Sequence, residues 1–200
     1  MIDIQVIIGS TRQNRFSEKP AHYIFEELTK REGVVAELVD LRDWPLPFYD
    51  EPISPASNNG NYINEAGKTW AAKIGKADGY IMVTPEYNHG YPAVLKNAID
   101  WVFHEWRNKP VAFVSYGNAG GARAIEQLRQ VVIELQMVPI RSAIHVPPEL
   151  YLSIMNERGP VSPDLFKPLR EGRRGDRVAA FFDELITAAN ISKTARRARA

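Results

Sequence analysis

Three short stretches of this chain carry residue types that could do chemistry together. The first, Gly9-Ser10-Thr11-Arg12-Gln13-Asn14-Arg15-Phe16-Ser17, holds three hydroxyls and two guanidinium groups. It follows an apolar run and leads into a helical pattern. Backbone N–H groups left free at a helix start favour an anion, and hydroxyls with guanidinium add charge-assisted hydrogen bonds. A capped helix with solvated arginines is the plainer reading, and Ser17 alone would be only a cap. Ser10, Arg12, Arg15 and Ser17 together point instead to a phosphate monoester. The loop contains neither Gly-x-x-x-x-Gly-Lys-Ser/Thr nor Gly-x-Gly-x-x-Gly. An ATP-using kinase or a Rossmann dehydrogenase would therefore lack its main device.

The second stretch is Pro85-Glu86-Tyr87-Asn88-His89-Gly90-Tyr91-Pro92, running on through Ala93-Val94-Leu95-Lys96-Asn97-Ala98-Ile99-Asp100-Trp101. Pro85 and Pro92 fix φ and donate no backbone hydrogen bond, while Gly90 is free to take a conformation closed to other residues. A loop so stiffened, with Tyr87, Asn88 and Tyr91, reads as a shelf for a flat ligand rather than an ordinary strand-to-helix connection. The third stretch, Ser115-Tyr116-Gly117-Asn118-Ala119-Gly120-Gly121, offers backbone donors and glycines that let a ligand approach the main chain. Alone it is only a glycine-rich turn. Taken together, the three loops imply a ligand with a phosphate tail and a planar head, which is the shape of FMN.

Short apolar runs alternating with amphipathic stretches position these loops, and that alternation indicates an α/β fold with a parallel sheet. Strands are expected near residues 4–8, 34–39, 80–84, 111–115 and 138–146, the last interrupted by Pro139. Helical spacing appears in Ala21, Ile24, Phe25 and Leu28, where Ser17 sits at the N-cap position and Gly33 is expected to end the helix. It recurs over 63–76, over 94–102, in Ile125, Leu128, Val132 and Leu135, and in Val178, Phe181, Phe182, Leu185 and Ile186. Five strand–helix units with right-handed crossovers give a doubly wound sheet. Ligands then bind outside the carboxyl ends of the strands, where the strand order reverses. The loop 41–62 carries four prolines and exceeds the usual connection length, which marks a lid or an interface element. Segment 147–175 has no clear period. The basic end, from 191 onward, is expected to fray.

Composition excludes several classes. The chain has 200 residues, 44% apolar and 24% charged, as suits one soluble domain. A formal net charge of +1 gives no electrostatic reason to expect nucleic acid or an anionic membrane as partner. With no cysteine there are no disulfides, thiolate metal sites or cysteine nucleophiles. His22, His89, His104 and His145 show no metal-ligand spacing, so no metal is expected. The start reads directly as a strand, without the pattern of a secretory signal, and no apolar stretch would span a bilayer. A cytoplasmic protein is the expectation.

Gly9-Ser10-Thr11-Arg12 resembles the phosphate motif of the NAD(P)H-dependent FMN reductases. Pro85-Glu86-Tyr87-Asn88-x-Gly90-x-Pro92-x-x-Leu95-Lys96-Asn97-Ala98-x-Asp100-Trp101 resembles their flavin-ring motif. That family is similar in fold to flavodoxin and includes quinone, azo-dye and chromate reductases. The resemblance implies one flavodoxin-like domain over 1–190, a doubly wound five-stranded parallel sheet in the order 2-1-3-4-5. It implies that Ser10, Thr11, Arg12, Arg15, Phe16 and Ser17 hold the phosphate and ribityl end of FMN. Pro85, Glu86, Tyr87 and Asn88 would line the ring, Gly90 would permit the turn, and Ser115, Tyr116, Gly117, Gly120 and Gly121 would complete the site. Tyr116 departs from the smaller residue common among relatives. A homodimer or tetramer is also implied, with the helix near 93–103 contributing and Trp101 and Trp106 packing there or in the core.

By the same resemblance, NADPH or NADH supplies hydride to the flavin, which passes it to a small acceptor such as a quinone, free flavin, azo compound or chromate. Backbone N–H groups at Asn88 or in 117–121 would stabilise negative charge on the reduced ring. No side chain need act as acid or base, so no catalytic residue is assigned: the cofactor carries the chemistry. Rival readings are a flavodoxin-like electron carrier, which the near-neutral charge disfavours, a flavin-binding protein without turnover, and a phosphate-ester hydrolase, which lacks a cysteine or paired-aspartate motif.

Overall fold

The computed structural model describes residues 1–157, 161–172 and 175–198. Its central strands are the continuous apolar runs. Every residue of β3 (Gly79–Pro85) and β4 (Pro110–Tyr116) is buried, as is all of β1 (Ile2–Ile8) except Asp3. Strands buried on both faces belong inside a parallel sheet covered by helices on each side. β2 (Val34–Asp40) and β5 (Val138–His145) are half-buried and form the edges. The sheet is parallel throughout, in the order β2-β1-β3-β4-β5, as expected.

Side chains alternate between two cores, as the two-residue period of a strand requires. Ile4, Val6, Ile8, Ile81, Val83 and Val114 face α1 (Glu18–Thr29) and α6 (Arg177–Arg197). Ile7, Tyr80, Met82, Val111 and Phe113 face α2 (Glu65–Gly75), α3 (Ala93–Asp100) and α4 (Ala122–Glu134). Because β1 lies between β2 and β3, the strand order reverses there. The register sets Ile8 beside Val83 and Pro85 beside Tyr116, so the loops leaving β1, β3 and β4 emerge side by side.

Several local expectations are corrected. Segment 147–175 contains α5 (Pro148–Ile154) and a 3-10 turn, Pro163–Leu169, anchored by buried Ile154, Phe166 and Leu169. Both are too short to show a period, and residues 158–160 and 173–174 lie outside the described residues. The basic end does not fray from 191: α6 continues to Arg197. Lys193 and Arg196 pair with the Asp78 carboxylate at 2.6 and 2.7 Å, and Arg196 also donates to the Asn108 carbonyl. Residues 199–200 lie outside the described residues. Pro139 lies on edge strand β5, next to a register shift in the β4–β5 ladder. Val138 donates toward β4, to the Lys109 carbonyl, so the N–H that Pro139 lacks would have faced the open edge. α1 ends at Thr29, before Gly33, which takes a left-handed φ in the turn into β2. Trp101 and Trp106 are core residues, with indole N–H groups bound to the Pro47 and Ile99 carbonyls.

The long loop before α2 is seated on α3. Asn97 Nδ2 donates to the Pro47 carbonyl at 2.8 Å, and its Oδ1 accepts from the Tyr49 N–H at 3.0 Å. Glu51 accepts from the N–H groups of Ile63 and Asn64, closing the loop's far end. No helix among the described residues is long and apolar enough to cross a membrane.

Candidate functional site

The loop after β1 begins at a position only glycine can fill. A Cβ on Gly9 would lie 2.9 Å from both the Val83 carbonyl and Leu95 Cδ2, and the first of these is backbone that cannot swing away. Ser10 and Ser17 are buried, whereas Thr11 and Arg12 are exposed. Ser17 does not cap α1. Its backbone is already helical and its Oγ meets the Tyr116 hydroxyl at 2.7 Å. Ser10 Oγ likewise meets the Tyr87 hydroxyl at 3.0 Å. Two hydroxyl pairs thus tie the first loop to the second and third.

Arg15 is placed differently from a free phosphate ligand. Its side chain is 1% exposed and spent on the protein. Nε donates to Glu18 Oε1 at 2.8 Å, Nη1 to Asp40 Oδ1 at 2.7 Å and to the Ser10 carbonyl, and Nη2 to Asp40 Oδ2. Burial alone would lower the Arg15 pKa, but Asp40 and Glu18 raise it above its ordinary value. Burial would raise the Asp40 carboxyl, and hydrogen bonds from Arg15 and the Arg42 N–H hold it below the usual range. Phe16 is also internal, packed edge-on to Tyr116 and Tyr151 at centroid distances of 4.8 and 4.9 Å.

In the second loop the turn is made by Asn88 and His89, not Gly90. Their φ values are 49° and 70°, and Gly90 is absent from the positive-φ positions. Tyr87 N–H donates to the Gly90 carbonyl at 2.8 Å and Gly90 N–H returns to Tyr87 at 2.9 Å. Two left-handed central residues inside such a pair describe the tight turn usually filled by Asn-Gly. The closest atom to a Cβ on Gly90 would be the flexible end of Gln127, at 3.0 Å, with the Tyr87 carbonyl at an ordinary 3.8 Å. Glu86 is pinned: Arg123 Nε reaches its Oε1 at 2.6 Å and the Arg123 N–H its Oε2 at 3.1 Å. Burial favours the neutral acid, but these donors hold the Glu86 carboxyl below its ordinary pKa. Arg123 also meets His89 Nε2 at 3.0 Å, fastening the turn to the start of α4.

The third loop closes over buried Ser115. Its Oγ donates to the Gly120 carbonyl at 2.7 Å and contacts His145 Nδ1 at 3.0 Å. Since the hydroxyl proton is committed to Gly120, Nδ1 carries the imidazole hydrogen. Burial lowers the His145 pKa, keeping the ring neutral at pH 7. Gly117, Gly120 and Gly121 all have positive φ, and a Cβ at Gly121 would lie 2.6 Å from Ser115 Cβ and 2.8 Å from the Tyr116 nitrogen. Gly121 is therefore required sterically, and Gly117 and Gly120, where an added Cβ would lie 3.3 Å from a neighbouring Cβ, are favoured by their positive φ.

Comparison with known proteins decides the family. The model of the NADPH-dependent FMN reductases matches residues 2–149. The chain belongs to that family. An NAD(P)H-dependent FMN reductase of Schizosaccharomyces pombe is 42% identical over 146 residues, covering 72% of this chain and 73% of that one. A 2-hydroxy-1,4-benzoquinone reductase of Burkholderia sp is 31% identical, covering 76% and 78%. The solved structure of FerB, a flavoenzyme NAD(P)H:(acceptor) oxidoreductase of Paracoccus denitrificans, superposes with a TM-score of 0.64 over 94% of this chain and 99% of that one. At 24% identity it shows the shared flavodoxin-like fold. As a member of this family the chain is an NAD(P)H-driven oxidoreductase that uses FMN.

All three loops that sequence reasoning selected converge, yet it missed the residues that fix them. Asp40 and Arg42 stand at the end of β2, beside the end of β1 in a 2-1-3 order, and a charge pair at adjoining strand ends was the available signal. Arg123 lies two residues past Gly121, close to the selected stretch. His145 leaves no signal in the sequence.

Proposed function

We propose that the three loops together hold FMN. The phosphate sits against the backbone N–H groups of the first loop with Ser10, Thr11, Arg12 and Ser17, and the ring sits against Pro85, Glu86, Tyr87, Asn88 and the Ser115–Gly121 loop. The observation that carries this reading is the cross-tying of the loops at the strand-order switch, through Ser10 with Tyr87 and Ser17 with Tyr116. Two further features fit the cofactor. The N–H groups of Thr11, Gln13, Asn14, Phe16 and Ser17 donate to no protein group among the described residues, and the glycines at 117, 120 and 121 bring bare main chain to the ring edge. Arg15 and Phe16 support the loop from behind. Tyr116 reaches the site through its hydroxyl on Ser17.

When bound, the flavin supplies the two-electron chemistry between NAD(P)H and the acceptor. The chain binds and orients it, and offers N–H donors to the pyrimidine edge through the 117–121 loop. A quinone is the acceptor best supported, because a relative covered over three quarters of its length is named for a benzoquinone. Net charge of +1 argues against an acidic electron carrier. The sheet and its helices, α6 through Arg197 included, serve as one domain, in the cytoplasm. Phe48, Ile53 and Ile63, which are 82, 52 and 66% exposed on the loop seated on α3, give the chain a surface for homodimerisation. Trp101 and Trp106 are unavailable for it.

Steady-state oxidation of NADPH and of NADH, each with benzoquinone, free FMN, an azo dye and chromate, tests the acceptor. Quinone turnover above the oxygen background supports the reading, and no turnover with any acceptor contradicts it. Light scattering on wild type and Phe48→Glu tests the dimer: conversion of a dimer to monomer is expected.

A further inference from the structure

The phosphate loop is held by an arginine from outside its motif. Arg42, just past the end of β2, donates through Nε to the Thr11 carbonyl at 3.3 Å and through Nη2 to the Arg12 carbonyl at 2.5 Å. Arg15 takes the Ser10 carbonyl, and its own N–H takes the Arg12 carbonyl at 3.2 Å. Three successive carbonyls are therefore drawn toward two guanidinium groups. In a trans peptide the C=O of one residue and the N–H of the next point in opposite directions, and no peptide among the described residues is cis. Pulling back the carbonyls of Ser10, Thr11 and Arg12 thus turns the N–H groups of Thr11, Arg12 and Gln13 to the other side. There the Arg12 N–H finds only a long contact to Ser10 Oγ, at 3.4 Å, and those of Thr11 and Gln13 find no protein acceptor. Such a run of N–H groups forms an anion nest.

Charge counting agrees. Arg15 and Arg42 share Glu18, at 2.8 and 2.9 Å, and Asp40 binds Arg15 through both oxygens while accepting the Arg42 N–H. Two cations and two carboxylates cancel within this frame. The Arg12 guanidinium, exposed on the loop, donates to no protein group among the described residues and is left as the cation for the ligand.

We propose that Arg42 is a positioning residue for the phosphate of FMN: by holding the Thr11 and Arg12 carbonyls outward it aims the loop's N–H groups at the phosphate, without touching it. This rests on the assignment of the first loop to the FMN phosphate. Its signature is selectivity for FMN over riboflavin, which has the same ring and no phosphate.

The test is fluorescence titration of wild type, Arg42→Ala and Arg42→Lys apoprotein with FMN and with riboflavin, with circular dichroism to verify folding. Arg42→Ala is expected to weaken FMN binding about tenfold, the size of one lost charge-assisted contact, and to leave riboflavin affinity unchanged. Arg42→Lys keeps the charge but cannot fork between two carbonyls, so it should recover only part of the loss. Equal weakening for both ligands, or none for either, would overturn the proposal, as would full recovery in Arg42→Lys, which would make the effect one of charge alone. Wild type binding riboflavin as tightly as FMN would remove the phosphate assignment itself, and the proposal with it.

Discussion

Gly121→Ala should be among the most damaging conservative changes in this chain, and Gly33→Ala is its natural control. Both glycines sit at φ 75°, so each substitution carries the same left-handed backbone penalty, about 1 kcal/mol. At Gly33 an added Cβ meets nothing within 4 Å. At Gly121 it would lie 2.6 Å from Ser115 Cβ and 2.8 Å from both Ser115 Oγ and the Tyr116 nitrogen. The Tyr116 nitrogen belongs to β4 and cannot yield, so the third loop must move outward at a further cost of roughly 1–3 kcal/mol. For a domain of this size 1 kcal/mol shifts Tm by roughly 2–4 °C. Gly33→Ala should therefore melt about 2–4 °C below wild type, and Gly121→Ala roughly 4–16 °C below. Far-UV circular dichroism melts of the apoproteins measure both, and FMN titration of each adds a second reading: Gly121→Ala should bind weakly and Gly33→Ala like wild type. Matching melts for the two variants would refute the close approach of Gly121 to β4, and with it the steric account of the loop.

Other consequences can be measured in parallel. Ser17→Ala or Tyr116→Phe each leaves a buried hydroxyl without its 2.7 Å partner, costing roughly 1–3 kcal/mol. The double variant should cost clearly less than the sum in urea unfolding, whereas strict additivity would mean the hydroxyls do not meet. Asn97→Ala releases Pro47 and Tyr49, so limited proteolysis should cut the loop before α2 faster than in wild type; an unchanged digest would count against that anchoring. Glu86 and Asp40 have folded pKa values depressed below 4.5 and 3.8, so the unfolded chain binds more protons in acid and stability falls as pH drops through those folded values. Glu86→Gln should flatten the acid limb of Tm against pH, and a limb as steep as wild type would show that Glu86 does not contribute.

Much of the fold was legible because its central strands are buried on both faces. The runs 80–84 and 111–115 have no polar alternation to confuse with a helix, and the turns around them are marked by proline and glycine. What was illegible depends on distant partners. Lys193 and Arg196 look like a solvated tail until Asp78, more than a hundred positions away, is brought beneath them. Arg15 reads as a ligand for phosphate in its own loop. Asp40, adjacent only after β1 and β2 pair, turns it into a brace, and Arg42 arrives with the same strand. In the second loop the positive φ falls on Asn88 and His89, although composition points to Gly90. Asparagine tolerates that region better than most residues, but nothing local requires His89 to join it.

An anaerobic titration tests the central claim most directly. Purified protein reconstituted with FMN is followed by its visible absorption while NADPH is added in small increments. One bound FMN per chain, bleached by one equivalent of NADPH and restored by benzoquinone, is the predicted result. A chain that fails to retain FMN, or that retains it while NADPH leaves the flavin band unchanged, would contradict the account.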